Sequence, residues 1–255
     1  MNTAANINEF SVTSVLTPDK IQSREKANNS NTDSDTLGNL ATHRDFYVRR
    51  AVATHYNTPK TALSKLASDA EEQIRFYLAA NPNTPPETLT QLASDESGDV
   101  RSQVAGNSNT PVDILEELAK DIYMETQRQL AENPNTRPTI LEKIGDNMVE
   151  LAESKALSSQ EAAVLRGISM NSSTPSHTLE KICTIQNREN HYWLFELGIA
   201  KNCNTSDTLL EKLATHPDYD IRFAVANNSS TPDFVLNILA TDKEYYIRQA
   251  AVDKR

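Results

Sequence analysis

Residues 99–121 read DVRSQVAGNSNTPVDILEELAKD, and the same frame returns along the chain. Thr110 belongs to a series, Thr32, Thr58, Thr84, Thr110 and Thr136, spaced by 26 residues. Thr174 follows after 38 residues, Thr205 after 31 and Thr231 after 26. Three residues before each Thr stands an Asn, at 29, 81, 107, 133, 171, 202 and 228, and only His55 breaks the column. Five residues after each Thr come Leu37, Leu63, Leu89, Leu115, Leu141, Leu179, Leu210 and Leu236. Three further on stand Leu40, Leu66, Leu92, Leu118, Ile144, Ile182, Leu213 and Leu239. A fixed period that keeps its frame marks stacked repeats, and it governs the reading of every single element.

Each repeat reads as two helices. Thr is a favourable N-cap and Pro a favourable first helical residue. Asp35, Glu87 and Asp113 stand three residues after their Thr, where an acid closes a capping box. The Leu-x-x-Leu-Ala stripe predicts a first helix of about ten residues. The stripe Val100-Arg101-x-x-Val104-Ala105 predicts a second, shorter helix, ended by Asn107 because Asn tolerates the left-handed backbone. Neither helix buries enough surface alone, and stacking merges the stripes into one core. The expected fold is all-α: a right-handed α-solenoid of about eight two-helix repeats of 26 residues. Residues 1–21 form a capping or partly disordered N-terminal segment, and 22–146 five regular repeats. Residues 147–200 form irregular repeats with insertions, and 201–255 regular repeats with a C-terminal half-repeat cap, all in one continuous domain.

A second column supports the register. Asp69 precedes Arg75 by six residues, Asp95 precedes Arg101 and Asp242 precedes Arg248. His43 and His216 take the Asp place before Arg49 and Arg222, and Asp121 meets Gln127. An Asp in the turn accepts hydrogen bonds from an Arg of the following helix or the next repeat. The column therefore reads as a buttress, with Asp95 as partner of Arg101, in preference to a stripe of arginines for phosphates.

The 255 residues carry 25 Lys+Arg against 35 Asp+Glu, a net charge of −10. A general nucleic-acid binder has the opposite, basic footprint. Cys183 and Cys203 are too few for a disulfide framework or a four-thiolate metal site. No apolar run reaches the 18 residues of a membrane span. The start, MNTAANINEFSVTSVLTPDK, lacks the basic and apolar regions of a secretory signal, so a cytoplasmic protein is expected. HExxH, GxSxG, Walker and GxGxxG patterns are absent. Acid pairs such as Glu71-Glu72 and Glu116-Glu117 fall on polar faces. The expectation is no catalytic residue, no metal and no cofactor.

The surface is uneven. Residues 66–125 hold 12 acids and three bases, a net of −9. Such a field steers a basic partner, and it also serves solubility. Twelve of the fifteen aromatics fall at or near the second helix, and about half of these are expected in the core. The residue after the ladder Arg varies, as Arg50, Phe76, Ser102, Phe223 and Gln249, like an exposed recognition position. Tyr and Trp are enriched in binding hot spots. The candidate partner-binding residues are Phe46, Tyr47, Arg50, Phe76, Tyr77, Tyr219 and Phe223, with Asp99, Glu116 and Glu125 recruiting a basic partner. The inserted stretch 146–168 has helical apolar spacing, which fits a lengthened helix or a functional insertion.

The consensus VRxxVAxNxNTPxxxLxxLAxD resembles the leucine-rich repeat variant, a short bacterial relative of HEAT repeats. The resemblance covers residues 22–255 and weakens between 146 and 200. It implies an α-solenoid with one helix of each repeat tightened to 3₁₀ geometry, and likeness to HEAT repeats puts the second helix on the concave face. The best-known member carries an N-terminal cysteine cluster for an iron–sulfur centre. Here no cysteine precedes Cys183, so that cofactor is not expected, and Cys183, in the column of Ala67 and Ala119, reads as a small core residue. The function implied is a non-enzymatic scaffold or adaptor that takes a protein or peptide partner on its concave face. Some HEAT-like solenoids are DNA glycosylases, which need a basic concave face and an acid beside an aromatic pocket; the acidic section opposes that, and nucleic acid is not an expected partner. Others are chromophore lyases or hydroxylases, whose metal-type His–Glu pairs are not seen in this sequence.

Overall fold

The computed structural model describes residues 17–185 and 193–254, without the side chains of 193 and 194. The N-terminal segment up to residue 16 and Tyr192, one of the twelve aromatics expected at or near the second helix, lie outside them. Among the described residues every helix is α-helical and no strand occurs. The chain divides into two compact units, Met1–Asn83 and Thr84–Arg255. Unit 1 contains α1 (Pro18–Asn28), α2 (Ser34–Leu40), α3 (Phe46–Thr54), α4 (Lys60–Leu66) and α5 (Glu72–Ala80). Unit 2 begins with α6 (Pro86–Leu92), α7 (Gly98–Gly106), α8 (Val112–Leu118), α9 (Met124–Glu132), α10 (Pro138–Ser154) and α11 (Ser159–Met170). It continues with α12 (Ser176–Ile182), α13 (Trp193–Lys201), α14 (Asp207–Leu213), α15 (Tyr219–Asn227), α16 (Asp233–Leu239) and α17 (Tyr245–Asp253).

Each unit is an α-solenoid. Even-numbered helices are the first of a repeat and odd-numbered helices the second. Second helices pack in a row, α1 on α3 on α5 in unit 1 and α7 through α17 in unit 2. The core lies between the two rows. Where α4 packs on α3 and α5, Leu63 and Leu66, Val48 and Val52, and Ile74 and Leu78 are all buried. Each such side chain contributes about 1.5–3 kcal/mol when it leaves water.

The helix lengths reverse the expectation. Regular first helices have seven residues and regular second helices nine. Pro59, Pro85, Pro111, Pro175 and Pro232 stand outside their helices as extended N-caps, which removes a residue from each start. The implied 3₁₀ geometry is also absent among the described residues. Ala93 N–H donates to Leu89 O at 2.9 Å and Ala119 N–H to Leu115 O at 3.0 Å, closing the α-helical ring.

The NxNTP turn works differently from a cap. Thr58, Thr110, Thr136, Thr174, Thr205 and Thr231 turn their hydroxyls backward. They donate to the carbonyls of Val52, Val104, Leu130, Ile168, Ile199 and Val225 at 2.5–2.7 Å. These are carbonyls that a helix end leaves without partners. With Thr so engaged, no capping box forms at Glu87 or Asp113, and Asp33 rather than Thr32 caps α2. A capping box does form at Ser158 and Glu161, which starts α11.

Asn107 ends α7 in extended backbone, φ −76° and ψ 126°, not in the left-handed region. The side chains explain why the column is Asn. Asn133 Nδ2 donates to Ala105 O at 2.7 Å and Asn107 O at 3.2 Å, and its Oδ1 accepts from Asn135 N–H at 2.9 Å. Asn171, Asn202 and Asn228 repeat this in unit 2, and Asn81 in unit 1. His55 does the same work with a ring. Its Nδ1 accepts from Asn57 N–H at 3.0 Å, which leaves Nε2–H to donate to Asn29 O at 2.9 Å.

The Arg column is a buttress, with a different partner. Arg101 Nε and Nη2 donate to Asp121 of the next repeat at 2.6 and 3.2 Å, and Nη1 donates to Asp95 O at 2.8 Å. Asp95 therefore gives Arg101 a carbonyl, not its carboxylate. Asp121 Oδ1 also accepts from Tyr123 N–H in its own turn, which aims the carboxylate back at the preceding repeat. Arg49 with Asp69 and Arg222 with Asp242 repeat the geometry. Gln127 keeps only carbonyl contacts, to Asp121 O at 2.7 Å and Ala119 O at 3.3 Å. Where His43 holds the Asp place, Arg24 reaches Asp45 at 3.0 and 2.8 Å. Glu196 and His216 reverse the polarity, with Oε2 and Nε2 3.3 Å apart. Arg24 holds the Asp45 carboxyl, and Arg222 that of Asp242, below the usual carboxylate range.

The extra residues between Thr136 and Thr174 lengthen two helices, α10 to 17 residues and α11 to 12. Cys183 is half-buried beside Lys212 Nζ at 3.7 Å, rather than a core residue.

Candidate functional site

The second helices expose a face that the core does not use. On α3 the buried residues are Val48, Ala51, Val52 and Ala53, while Phe46 and Arg50 stay half-buried and Tyr47 is exposed. Of the ten aromatics with described side chains in or capping a second helix, only Phe195 is buried. The expected division between core and surface does not hold, because Val, Ile and Leu already fill the stripe.

In unit 1 these side chains form a connected cluster. Phe46 and Tyr47 meet edge to face with centroids 5.3 Å apart, and Phe76 and Tyr77 do so at 5.4 Å. The Arg24 guanidinium lies 4.2 Å from the Tyr47 centroid. Arg50 lies 5.5 Å from Tyr47 and 5.9 Å from Tyr77 on the adjacent second helix. Arg24 also binds Asp45 through two nitrogens, whereas Arg50 has no carboxylate at ion-pair distance among the described residues.

In unit 2 Tyr219 stacks on Phe223 with centroids 5.8 Å apart and planes 10° apart. Phe223 borders two grooves. One, of about 450 Å³, lies between α13 and α15 and includes Leu197, Lys201, Asp220 and Asn227. The other, of about 530 Å³, lies between α15 and α17 and includes Asn227, Tyr246, Gln249 and Lys254. Lys254 Nζ is buried there with no hydrogen-bond partner among the described residues, and burial pushes its pKa down.

The expected recognition column is interrupted at Ser102, which is buried and donates to Asp99 O at 2.7 Å. Tyr123 of the next repeat covers that face. A Cβ on Gly98 would stand 2.8 Å from its ring, so only glycine permits the approach.

The acidic candidates are engaged within the chain. Asp99 on α7 accepts from the Tyr123 hydroxyl at 2.5 Å. Glu116 pairs with Arg137, and it lies on α8, a first helix, away from the other candidates. Glu125 on α9 accepts from Arg128 Nε at 2.9 Å, and this partner holds its carboxyl below the usual range. Arg128 and Arg137 both lie beyond residue 125 and so escaped the count of the acidic section. The sequence reading missed Arg24, which stands one residue out of frame after Ser23, and Asn227 and Tyr246 in the grooves. Repeat spacing could have found Asn227, which precedes the Asn228 column. Among the described residues no group of His, Cys, Asp or Glu is arranged to hold a metal. None of their helices is long and apolar enough to cross a membrane.

Residues 72–97, one period of the repeat, match the family model described as Leucine rich repeat variant. A solved structure described as a leucine-rich repeat variant with a novel repetitive protein structural motif is similar at 19% identity. The likeness covers 87% of this chain and 82% of that one, with a TM-score of 0.53. A designed armadillo repeat protein is similar at 12% identity over 91% of this chain and 97% of its own, with a TM-score of 0.25. Comparison with curated proteins gives no match. The family model and the first structure bear out the resemblance carried by the VRxxVAxNxNTP frame.

Proposed function

We propose that this chain is a non-catalytic repeat scaffold that binds a protein or peptide on the exposed face of its second helices. The observation that carries the reading is the set of unburied aromatics on those helices, Phe46, Tyr47, Phe76 and Tyr77 in unit 1 and Tyr219, Phe223, Tyr245 and Tyr246 in unit 2. The core does not use them, and Tyr in particular supplies apolar area with a polar tip at interfaces. The two grooves beside Phe223 fall within the 300–1,000 Å³ range of ligand sites and share a wall, which suits successive side chains of one extended segment. The net −9 of residues 66–125 acts as a steering field for a basic partner. Asp99, Glu116 and Glu125 serve that field less as contacts, since each already has an internal partner.

The test is affinity capture from an extract of the native cell with the full chain and its Phe76→Ala and Phe223→Ala variants, melting followed by circular dichroism. A protein kept by wild type and lost by either folded variant supports the reading. Equal capture by both folded variants would remove the second-helix surface and direct attention to α10 and α11.

A further inference from the structure

We infer that Arg50, poised between Tyr47 and Tyr77, is a recognition point for a side-chain carboxylate of an acidic peptide segment. This rests on the second-helix reading above and concerns one acidic segment at unit 1, in a partner whose basic part the section 66–125 steers.

Neighbouring arginines on α3 have opposite fates. Arg49 is fully engaged, with Nε and Nη2 on Asp69 and Nη1 on His43 O. Arg50 points to the other face, where its guanidinium lies within 6 Å of two tyrosine rings. That distance is within cation–π reach. The rings narrow the positions open to a long side chain, and an ordered fork loses less entropy on binding. A guanidinium carries its five N–H donors in its own plane. Among the described residues these donors on Arg50 have no hydrogen-bond partner, and such a fork matches the two oxygens of a carboxylate.

The chain contains the filled version of this site. Arg24 lies 4.2 Å from the centroid of the same Tyr47 ring and holds Asp45 through two nitrogens at 3.0 and 2.8 Å. Arg50 repeats the arrangement without an internal carboxylate among the described residues. Phe46 and Phe76 flank the rings and offer apolar contact to the residues beside an acid.

Charge selects a short acidic peptide over a nucleic acid. Residues 17–83 hold nine bases and eight acids, a net of +1, in a chain of net −10. Nucleic-acid binding draws on many phosphate contacts from basic side chains, and beside Arg50 both Arg24 and Arg49 are already paired, with Asp45 and Asp69. One fork among aromatics needs only one carboxylate in the right place.

The test is fluorescence anisotropy with the full chain and a fluorescein-labelled Glu-Leu-Glu-Phe-Glu peptide. Parallel probes are Lys-Leu-Lys-Phe-Lys and an oligothymidylate. The acidic peptide should bind, and Arg50→Ala should weaken it about tenfold, the loss of one charge-assisted contact. Arg50→Gln should do the same, and Arg50→Lys should restore only part, because an ammonium keeps the charge but not the fork. Melting of all three variants should match wild type. No binding of the acidic peptide, or equal binding by folded Arg50→Ala and Arg50→Gln, overturns the inference. Tighter binding of oligothymidylate replaces the peptide with a nucleic acid and also overturns it. Binding of the basic peptide alone, lost on Phe223→Ala, overturns the acidic partner and leaves the second-helix scaffold standing.

Discussion

Helices α7 and α15 belong to the same unit and read the same frame, Val100-Arg101-x-x-Val104-Ala105 against Ile221-Arg222-x-x-Val225-Ala226. Their outer faces differ at three aligned positions. α7 carries Gly98, Ser102 and Gly106 where α15 carries Tyr219, Phe223 and Asn227. These positions are four apart and fall on one helix face. On α7 the next repeat fills the space, with Tyr123 over Gly98 and Gln129 against Gly106. On α15 the helix supplies its own rings, and grooves remain on both sides of Phe223. The inner frame thus sets core and buttress alike in both places, while three outer residues decide whether a neighbour closes the face or leaves it open.

If the inner frame is common, breaking it should cost the same in both regions. Asn133→Ala and Asn228→Ala each strip two carbonyls of their donor and should each destabilise by about 3 kcal/mol in urea unfolding. A large difference between them would break the comparison. The outer face should respond only where it is closed. Gly98→Tyr drives a ring into Tyr123 and should cost about 2 kcal/mol by overpacking. The buttress comes next. Asp121→Ala and Asp242→Ala should each lower stability by about 1–2 kcal/mol, since the arginines keep their carbonyl contacts. The pH dependence has a definite sign. Asp242 has a depressed folded pKa, through Arg222 first, so its contribution is present above the unfolded value near pH 3.9 and is lost as pH falls through the folded one. The melting temperature of wild type should therefore drop more steeply below about pH 4 than that of Asp242→Ala. The smallest effect belongs to the open face. Tyr246→Ala, at a side chain 68% exposed, should change stability by less than about 0.5 kcal/mol.

The period, the two helices and their buried stripes were legible because apolar spacing reports burial directly. The caps were not. Thr is an acceptor at an N-cap and a donor at a C-terminus, and only the folded turn shows that Thr110 looks back to Val104. Pro is equally favourable inside and just outside a helix start, so helix lengths came out reversed. Asp95 and Asp121 are both reachable from Arg101 by spacing, and the choice depends on how far one repeat reaches into the next. At the site, Phe46, Tyr47, Arg50, Phe76 and Tyr77 could be named from their column, and they do meet. That Gly98 is covered depends on Tyr123, 25 residues later. That Glu116 and Glu125 are paired depends on arginines outside the section whose charge drew attention to them.

The asparagine that joins repeats has a consequence for inheritance. Each one is rooted in its own repeat, closes its own turn with Oδ1 and reaches back across one junction with Nδ2. A block of 26 residues therefore carries one clasp for the copy before it and the carbonyls that receive the clasp of the copy after it. Duplicating such a block, or deleting one, leaves each remaining donor facing an acceptor of the same kind. The number of repeats is then open to change by recombination within the gene, without new side chains having to evolve at the join.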